Sequence, residues 1–286
     1  MPPIILLATN FVCLFMSLPW NKPFTLQLSC EPIAHLDTQF SISNMPTWPN
    51  AQGLNLLKTQ QSIAQISTPG FVCQDMLAPS DNYYEQIINK HAQIPTRANS
   101  WHDLFNGLVW LQYPKTKKLL NKLHVHDIER FGLSPRTPQR NHITHFDECG
   151  VLLLIEGDKG KSVTGLLTEH KWYEALHNAR SAWGISIHAR MFGHANYEML
   201  LDPFIGLTGK WLAIEVEKGF SLLSIAQQNA EVDERLSAAI TNTELFKQPK
   251  PLFPLPLLGL PGWSELNQEP QFYLNREYFR PKRPSK

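Results

Sequence analysis

Arg97, His102, Asp103, Asn106 and Trp110 lie within one short stretch, Ile94 to Trp110, together with Trp101. A histidine beside a carboxylate supplies the parts of a general acid–base pair or of a metal site. An arginine just ahead of a helix start can hold an anion jointly with the free N–H groups there. A helix that only fills a core has no need of so many polar side chains. On a helical wheel of about 100° per residue, Asn106, Trp110 and Asp103 all fall within about 100° of His102. Leu104, Leu108 and Leu111 fall opposite, with Phe105 beside them. A tryptophan on the polar face points to a cleft or an interface. Each residue also has a structural reading: Asp103 as a helix cap, His102 paired to a carbonyl, Arg97 as a lock on the preceding loop.

Three further groups carry candidate chemistry. Lys117, Asn121 and His124 share one helical stripe. Lys115, Lys117, Lys118 and Lys122 are expected to form a solvated basic face, with a phosphate-binding patch as the alternative. In Gly193-His194-Ala195-Asn196-Tyr197-Glu198, His194 and Glu198 stand at i, i+4, a spacing that places two metal ligands together or makes an ordinary surface pair. Near a helix N-terminus an imidazole is held neutral, which suits ligation or general-base work. His142, His145 and Asp147 are read as part of a β-hairpin, with His145 and Asp147 on one face, a wet strand edge. G-x-S-x-G, P-loop, G-x-G-x-x-G and H-E-x-x-H patterns do not occur in the sequence.

The elements that must position these residues follow from periodicity and punctuation. Ser100 is a natural N-cap with Asp103 three positions on, predicting a helix from there to about Gln112. Pro114 opens a second helix, Lys115 to about Arg130, ended near Gly132. Shorter helices are expected over Leu54–Ile66, Tyr83–His91, Lys171–Ala182 and His194–Leu201, and one or two over Phe220–Ile240. Strands are expected at Ile185–Met191 and Lys210–Glu217, with His142–Asp147 and Val151–Glu156 forming the hairpin around Glu148-Cys149-Gly150. Trp20 to Pro49 reads as extended and irregular. Pro251 to Trp263 is proline-rich but apolar, so it reads as an extended strap across the core rather than a linker. A proline-rich ligand for an aromatic groove is the alternative.

The fold class is therefore α+β, helix-rich, with a small, mainly antiparallel sheet and a proline-rich C-terminal strap. Residues 20–286 are expected to form a single domain, preceded by an apolar segment, 1–19, that stands apart from it. That segment, apolar from Ile4 to Leu18, is short of the about 20 residues that span a bilayer and lacks the basic start of a secretory signal.

Several blocks together resemble a bacterial family catalogued as domain of unknown function 3025. They are Ile94-Pro95-Thr96-Arg97 with Asn99; His102 through Trp110; Tyr113-Pro114 with Lys117 and Leu120-Asn121; Phe146-Asp147-Glu148; Phe192-Gly193-His194-Ala195 with Glu198; and Pro254 through Trp263 with Phe279-Arg280-Pro281. The resemblance implies a bacterial, soluble protein whose central helices and proline-rich end belong to one unit. It brings no activity or cofactor.

Of 286 residues, 43% are hydrophobic and 18% charged, enough for a sizeable core. A formal net charge of +1 argues against a main role on nucleic acid or anionic membrane. Cys13, Cys30, Cys73 and Cys149 are scattered and form no C-x-x-C pair, the pattern of reduced thiols in a cytoplasm.

Two functions compete. One is a hydrolase-like or acid–base enzyme, with His102, Asp103, His194 and Glu198 catalytic or ligating. Arg97, Asn106, Trp110, Lys117 and Asn121 would then bind the substrate, a small anionic molecule, and a divalent metal is the cofactor these residue types suggest. The other is a non-catalytic binding or scaffold protein whose polar cluster is a hydrogen-bond network. Nucleic-acid binding through the lysine-rich helix and the Arg280 to Lys286 tail ranks last. The enzyme reading requires the His102 and His194 helices to converge.

Overall fold

The computed structural model describes residues 19–60, 68–77 and 83–283. The apolar run from Ile4 to Leu18 and the end of the helix expected over Leu54–Ile66 lie outside the described residues.

Helices α1 (Lys22–Thr25), α2 (Glu31–Phe40) and α3 (Ala51–Gln60) occupy a stretch expected to be irregular over much of its length. The prolines there start helices rather than prevent them. Pro23 and Pro32 sit in first turns, where a missing N–H costs nothing. Ile33, Leu36 and Phe40 then recur on one buried face. Strand β1 (Gly70–Cys73), helix α4 (Tyr84–His91) and strand β2 (Gln93–Thr96) follow, with β1 and β2 paired in parallel.

The central helices α5 (Trp101–Gln112) and α6 (Pro114–Phe131) match expectation closely. Ser100 caps α5, its hydroxyl accepting the Asp103 N–H at 3.2 Å. The hairpin expected next is not there. His142 to Asp147 belong to helix α7 (Pro138–Cys149), which passes through Gly150 straight into strand β3 (Gly150–Ile155). Thr137 is the N-cap, its hydroxyl accepting the Arg140 N–H, and Pro138 takes the first helical position. His142 is spent on the Phe246 carbonyl, 3.0 Å from its Nδ1.

After helix α8 (Gly157–Thr168), the segment expected to be one helix over Lys171–Ala182 is a π-helical turn, Tyr173–Asn178, and a 3-10 turn, Arg180–Ala182. Strand β4 (Ile187–Met191), helix α9 (His194–Met199), strand β5 (Thr208–Glu215), helix α10 (Ile225–Asn242) and strand β6 (Phe253–Pro256) complete the main elements. The class is α+β.

The larger sheet runs β4-β3-β5-β6, antiparallel at both outer pairings and parallel in the middle. Strand β3 is central and wholly buried, which explains its unbroken Gly-Val-Leu-Leu-Leu-Ile sequence. The tail is not a continuous strap. Its prolines 254 and 256 form edge strand β6, where a residue without an N–H is tolerated, and 3-10 turns follow. Leu255, Leu257, Leu258, Leu260 and Trp263 are buried with the core. Among the described residues no helix is long and apolar enough to cross a membrane.

Candidate metal centre

The N-termini of α5 and α9 and the C-terminus of α7 meet at one place. Aromatic packing sets the approach: Phe105 of α5 stacks on Tyr197 of α9 at 5.4 Å, and Phe146 of α7 stacks on Phe192, just ahead of α9, at 4.6 Å. Gly193 tightens it further. Its N–H donates to the Gly150 carbonyl at 2.8 Å, and a Cβ at this position would lie 2.5 Å from the Glu148 carbonyl oxygen. Only a glycine lets α9 begin so close to the end of α7.

This packing places His102 at the second position of α5, His194 at the first of α9 and Glu148 in the last turn of α7 around one point. The Nε2 atoms of the two histidines are 3.1 Å apart. Glu148 Oε2 lies 3.4 Å from His194 Nε2 and 4.0 Å from His102 Nε2. Ligands about 2.0–2.2 Å from a tetrahedral ion stand about 3.3 Å apart, so these separations approximate one face of such a polyhedron. Among the described residues these three form the group of His, Cys, Asp and Glu side chains with metal-ligand spacing.

The far side of each ring faces a carboxylate. Glu198 Oε2 is 3.2 Å from His102 Nδ1, and Asp147 Oδ2 is 3.8 Å from His194 Nδ1. At hydrogen-bond distance, Glu198 selects the Nδ1–H tautomer of His102 and turns its Nε2 lone pair toward the common point; Asp147, at 3.8 Å, acts on His194 by its charge alone. Burial holds His194 neutral, its pKa pushed down to about 3 despite the nearby Asp147 charge. Burial raises Glu148, against the pull of His102.

Behind Asp147 stands a buried polar chain. Lys117 Nζ donates to Asp147 Oδ1 at 2.5 Å and to Asn106 Oδ1 at 2.9 Å, and Asn106 Nδ2 donates to the Tyr84 hydroxyl at 2.8 Å. Burial alone would raise Asp147, but the charge and hydrogen bond of Lys117 outweigh it and hold its carboxyl below the usual range. Lys117 is only 4% exposed, so the expected solvated basic face does not include it: the ammonium points inward, 5.6 Å from the Trp110 ring centroid. Trp110 is itself buried, and Asn121 ties α6 to α4 through the Glu85 carbonyl.

Asp103 takes a different place from the one expected. It accepts the Arg97 backbone N–H at 2.7 Å and pairs with the guanidinium through Nε at 3.0 Å and Nη2 at 2.7 Å. Burial would raise it, but these Arg97 contacts keep it low. Its carboxylate is committed to the loop before α5, and the partner of His102 is Glu198 instead.

Sequence reasoning passed over Glu148, Asp147 as a partner of Lys117, and Tyr84. A signal existed for the first two. Carboxylates in a last helical turn oppose the helix dipole, so an acidic pair there needs another reason to be present. Reading the segment as a hairpin hid it.

One family matches residues 70–283, well over half of the chain. The chain belongs to the DUF3025 family, described as protein of unknown function. No curated protein and no solved structure matches it. All the DUF3025 residues that build this centre, from Tyr84 to Glu198, fall within the matched range.

Proposed function

We propose that His102, His194 and Glu148 hold a divalent cation and that this DUF3025 protein is a metal-assisted hydrolase. The observation that supports it most is the orientation of the two rings. With Glu198 and Asp147 each facing an Nδ1, both Nε2 lone pairs converge at 3.1 Å beside a carboxylate. Two lone pairs and an anion repel one another unless a proton or a bound cation lies between them. Two histidines and one glutamate are the ligand set of hydrolytic zinc sites, and a bound zinc ion lowers the pKa of its water to about 7. The same set suits ferrous iron, so the metal is to be identified by measurement.

His102 and His194 serve as ligands in this reading, Glu198 and Asp147 as the carboxylates that orient them, and Lys117 and Asn106 as the support for Asp147. Arg97, its side chain 55% exposed, is the cation available to a small anionic substrate. We place the protein in a bacterial cytoplasm as a single domain from residue 20 onward, with Cys30, Cys73 and Cys149 unpaired.

Elemental analysis of the purified protein tests the proposal. About one zinc or iron per chain is expected, and a Glu148→Ala variant should lose it. A folded wild type that carries no metal and takes none up at micromolar concentration would sink it. The buried Lys117–Asn106–Tyr84 chain favours the second reading, a non-catalytic scaffold. On that reading His102→Ala unfolds the protein more readily and changes no metal content.

A further inference from the structure

Helix α9 starts at His194 in the metal centre and ends at Met199, which is exposed. Helices α1 and α9 both pack on α5: Phe24 and Tyr197 each stack on Phe105, at 6.5 and 5.4 Å. Their C-terminal ends are tied where Gln27 Nε2 donates to the Leu201 carbonyl at 3.4 Å.

Four large apolar side chains stand exposed around this junction: Leu26 at 63%, Met199 at 42%, Phe204 at 54% and Ile205 at 50%. Leu26 adjoins Gln27, and Phe204 is three residues past Leu201, so it lies within about 11 Å of it. Phe204 and Ile205 form the tip of a turn closed by the Leu207 N–H on the Phe204 carbonyl at 3.1 Å, with Gly206 at φ 116°. Residues 202–206 are all exposed. Apolar side chains grouped on a projecting tip mark a surface that meets a partner or a lipid phase.

A second apolar element joins at the same place. Residues 4–18, outside the described residues, are apolar in sequence, and no charged side chain precedes Lys22. That run enters the fold through Trp20, which stacks on Trp101 at 5.7 Å, and α1 follows at once.

We propose that this end of the molecule docks on a lipid surface, with Phe204 and Ile205 entering the headgroup boundary and the apolar N-terminal run beside them. Area argues against a second copy as the occupant. Four half-exposed side chains present on the order of 400 Å², about half of what each partner brings to a stable protein interface. Asp202 is the charged residue of the tip, so apolar burial rather than attraction to anionic headgroups supplies the binding. The six residues of α9, at about 1.5 Å each, set its exposed end about 9 Å from His194. Docking thus brings the metal centre close to molecules in the lipid interface, although the docking itself needs no metal.

The test is flotation of the full chain with phosphatidylcholine vesicles on a sucrose gradient, at about 0.1 and about 0.5 M salt. Wild type should float at both, since screening leaves apolar burial intact. Phe204→Ser combined with Ile205→Ser should lower partitioning at least about tenfold. Leu222→Ser, at a side chain 89% exposed in the turn before α10, should not change it. Chelator-treated protein should float equally well, so the docking and the metal centre fail separately. A wild type that stays below the vesicles overturns the proposal, whether the N-terminal run or a second copy covers the patch. So does a double variant that floats like wild type.

Discussion

His102 and His194 stand 92 positions apart in the chain, yet their Nε2 atoms approach to 3.1 Å with ring planes inclined at 74°. Between two neutral rings only one of these nitrogens can donate to the other, and that costs the donating ring its Nδ1–H. His102 would give up a 3.2 Å contact with Glu198, or His194 would turn a lone pair on Asp147. A cation at the junction removes the conflict for both rings at once. The relationship therefore carries more functional meaning than either histidine alone.

Glu198 is expected to act through His102 rather than as a ligand. Glu198→Ala should weaken metal binding by about 10–100-fold and leave the fold intact, because the side chain is 44% exposed. Competition with a chromophoric chelator measures this directly. An affinity equal to wild type would remove Glu198 from the orienting role.

Gly193→Ala is expected to damage the centre without touching a ligand. The added methyl would meet backbone atoms of Glu148, Cys149 and Gly150 at 2.5–2.6 Å, and backbone cannot swing aside as a side chain can. Helix α9 must then move away from α7, carrying His194 from Glu148. Overpacking of this kind costs about 1–3 kcal/mol. Urea denaturation together with metal content checks both halves, and a variant with normal stability and metal would show that the contact is not tight.

Lys117→Met is expected to destabilise the protein by about 3 kcal/mol, since it leaves Asp147 and Asn106 facing an apolar group. Adding Asp147→Asn to it should recover part of that loss, because the uncompensated charge is then gone. Chemical denaturation of the two single variants and the double variant gives the coupling. Simple additivity would mean that the pair is not coupled in the folded state.

Much of this arrangement is legible in the sequence, and the gaps have physical causes. Ser100, Pro114 and the apolar spacing place α5 and α6 because caps, prolines and periodicity are local signals. The i, i+4 spacing of His194 and Glu198 correctly puts them on one short helix. It does not say which side chains meet His194: His102 comes from α5 and Glu148 from α7. Helix packing around Phe105, Tyr197, Phe146 and Phe192 decides that, and nothing local encodes it. Lys117 reads as solvent-facing among three neighbouring lysines, since only tertiary structure shows which lysine meets Asp147. Thr137-Pro138 is a local helix start, while Glu148-Cys149-Gly150 carries a competing local turn signal.

Acid should destabilise this protein over a window that starts near neutrality. Burial depresses His35 and His194 to about 3 and His124 to about 4, against an ordinary value of 6.5. Between those limits the unfolded chain binds protons that the folded chain refuses, so stability falls as pH drops below about 6.5. Each group contributes of order 2 kcal/mol of loss by pH 4.5. Burial raises Glu31, Glu85, Glu148 and Asp233, which take up protons more readily in the fold and partly offset that loss above their ordinary values. Below about 4.5 the offset is complete while the histidines still lose, and Asp103 and Asp147, held low, add to the loss beneath their ordinary 3.8. Urea midpoints of chelator-treated protein from pH 7 to pH 4 should therefore decline, with His124→Gln showing a shallower slope. A His124→Gln variant with the same slope as wild type would mean that this imidazole is charged inside the fold.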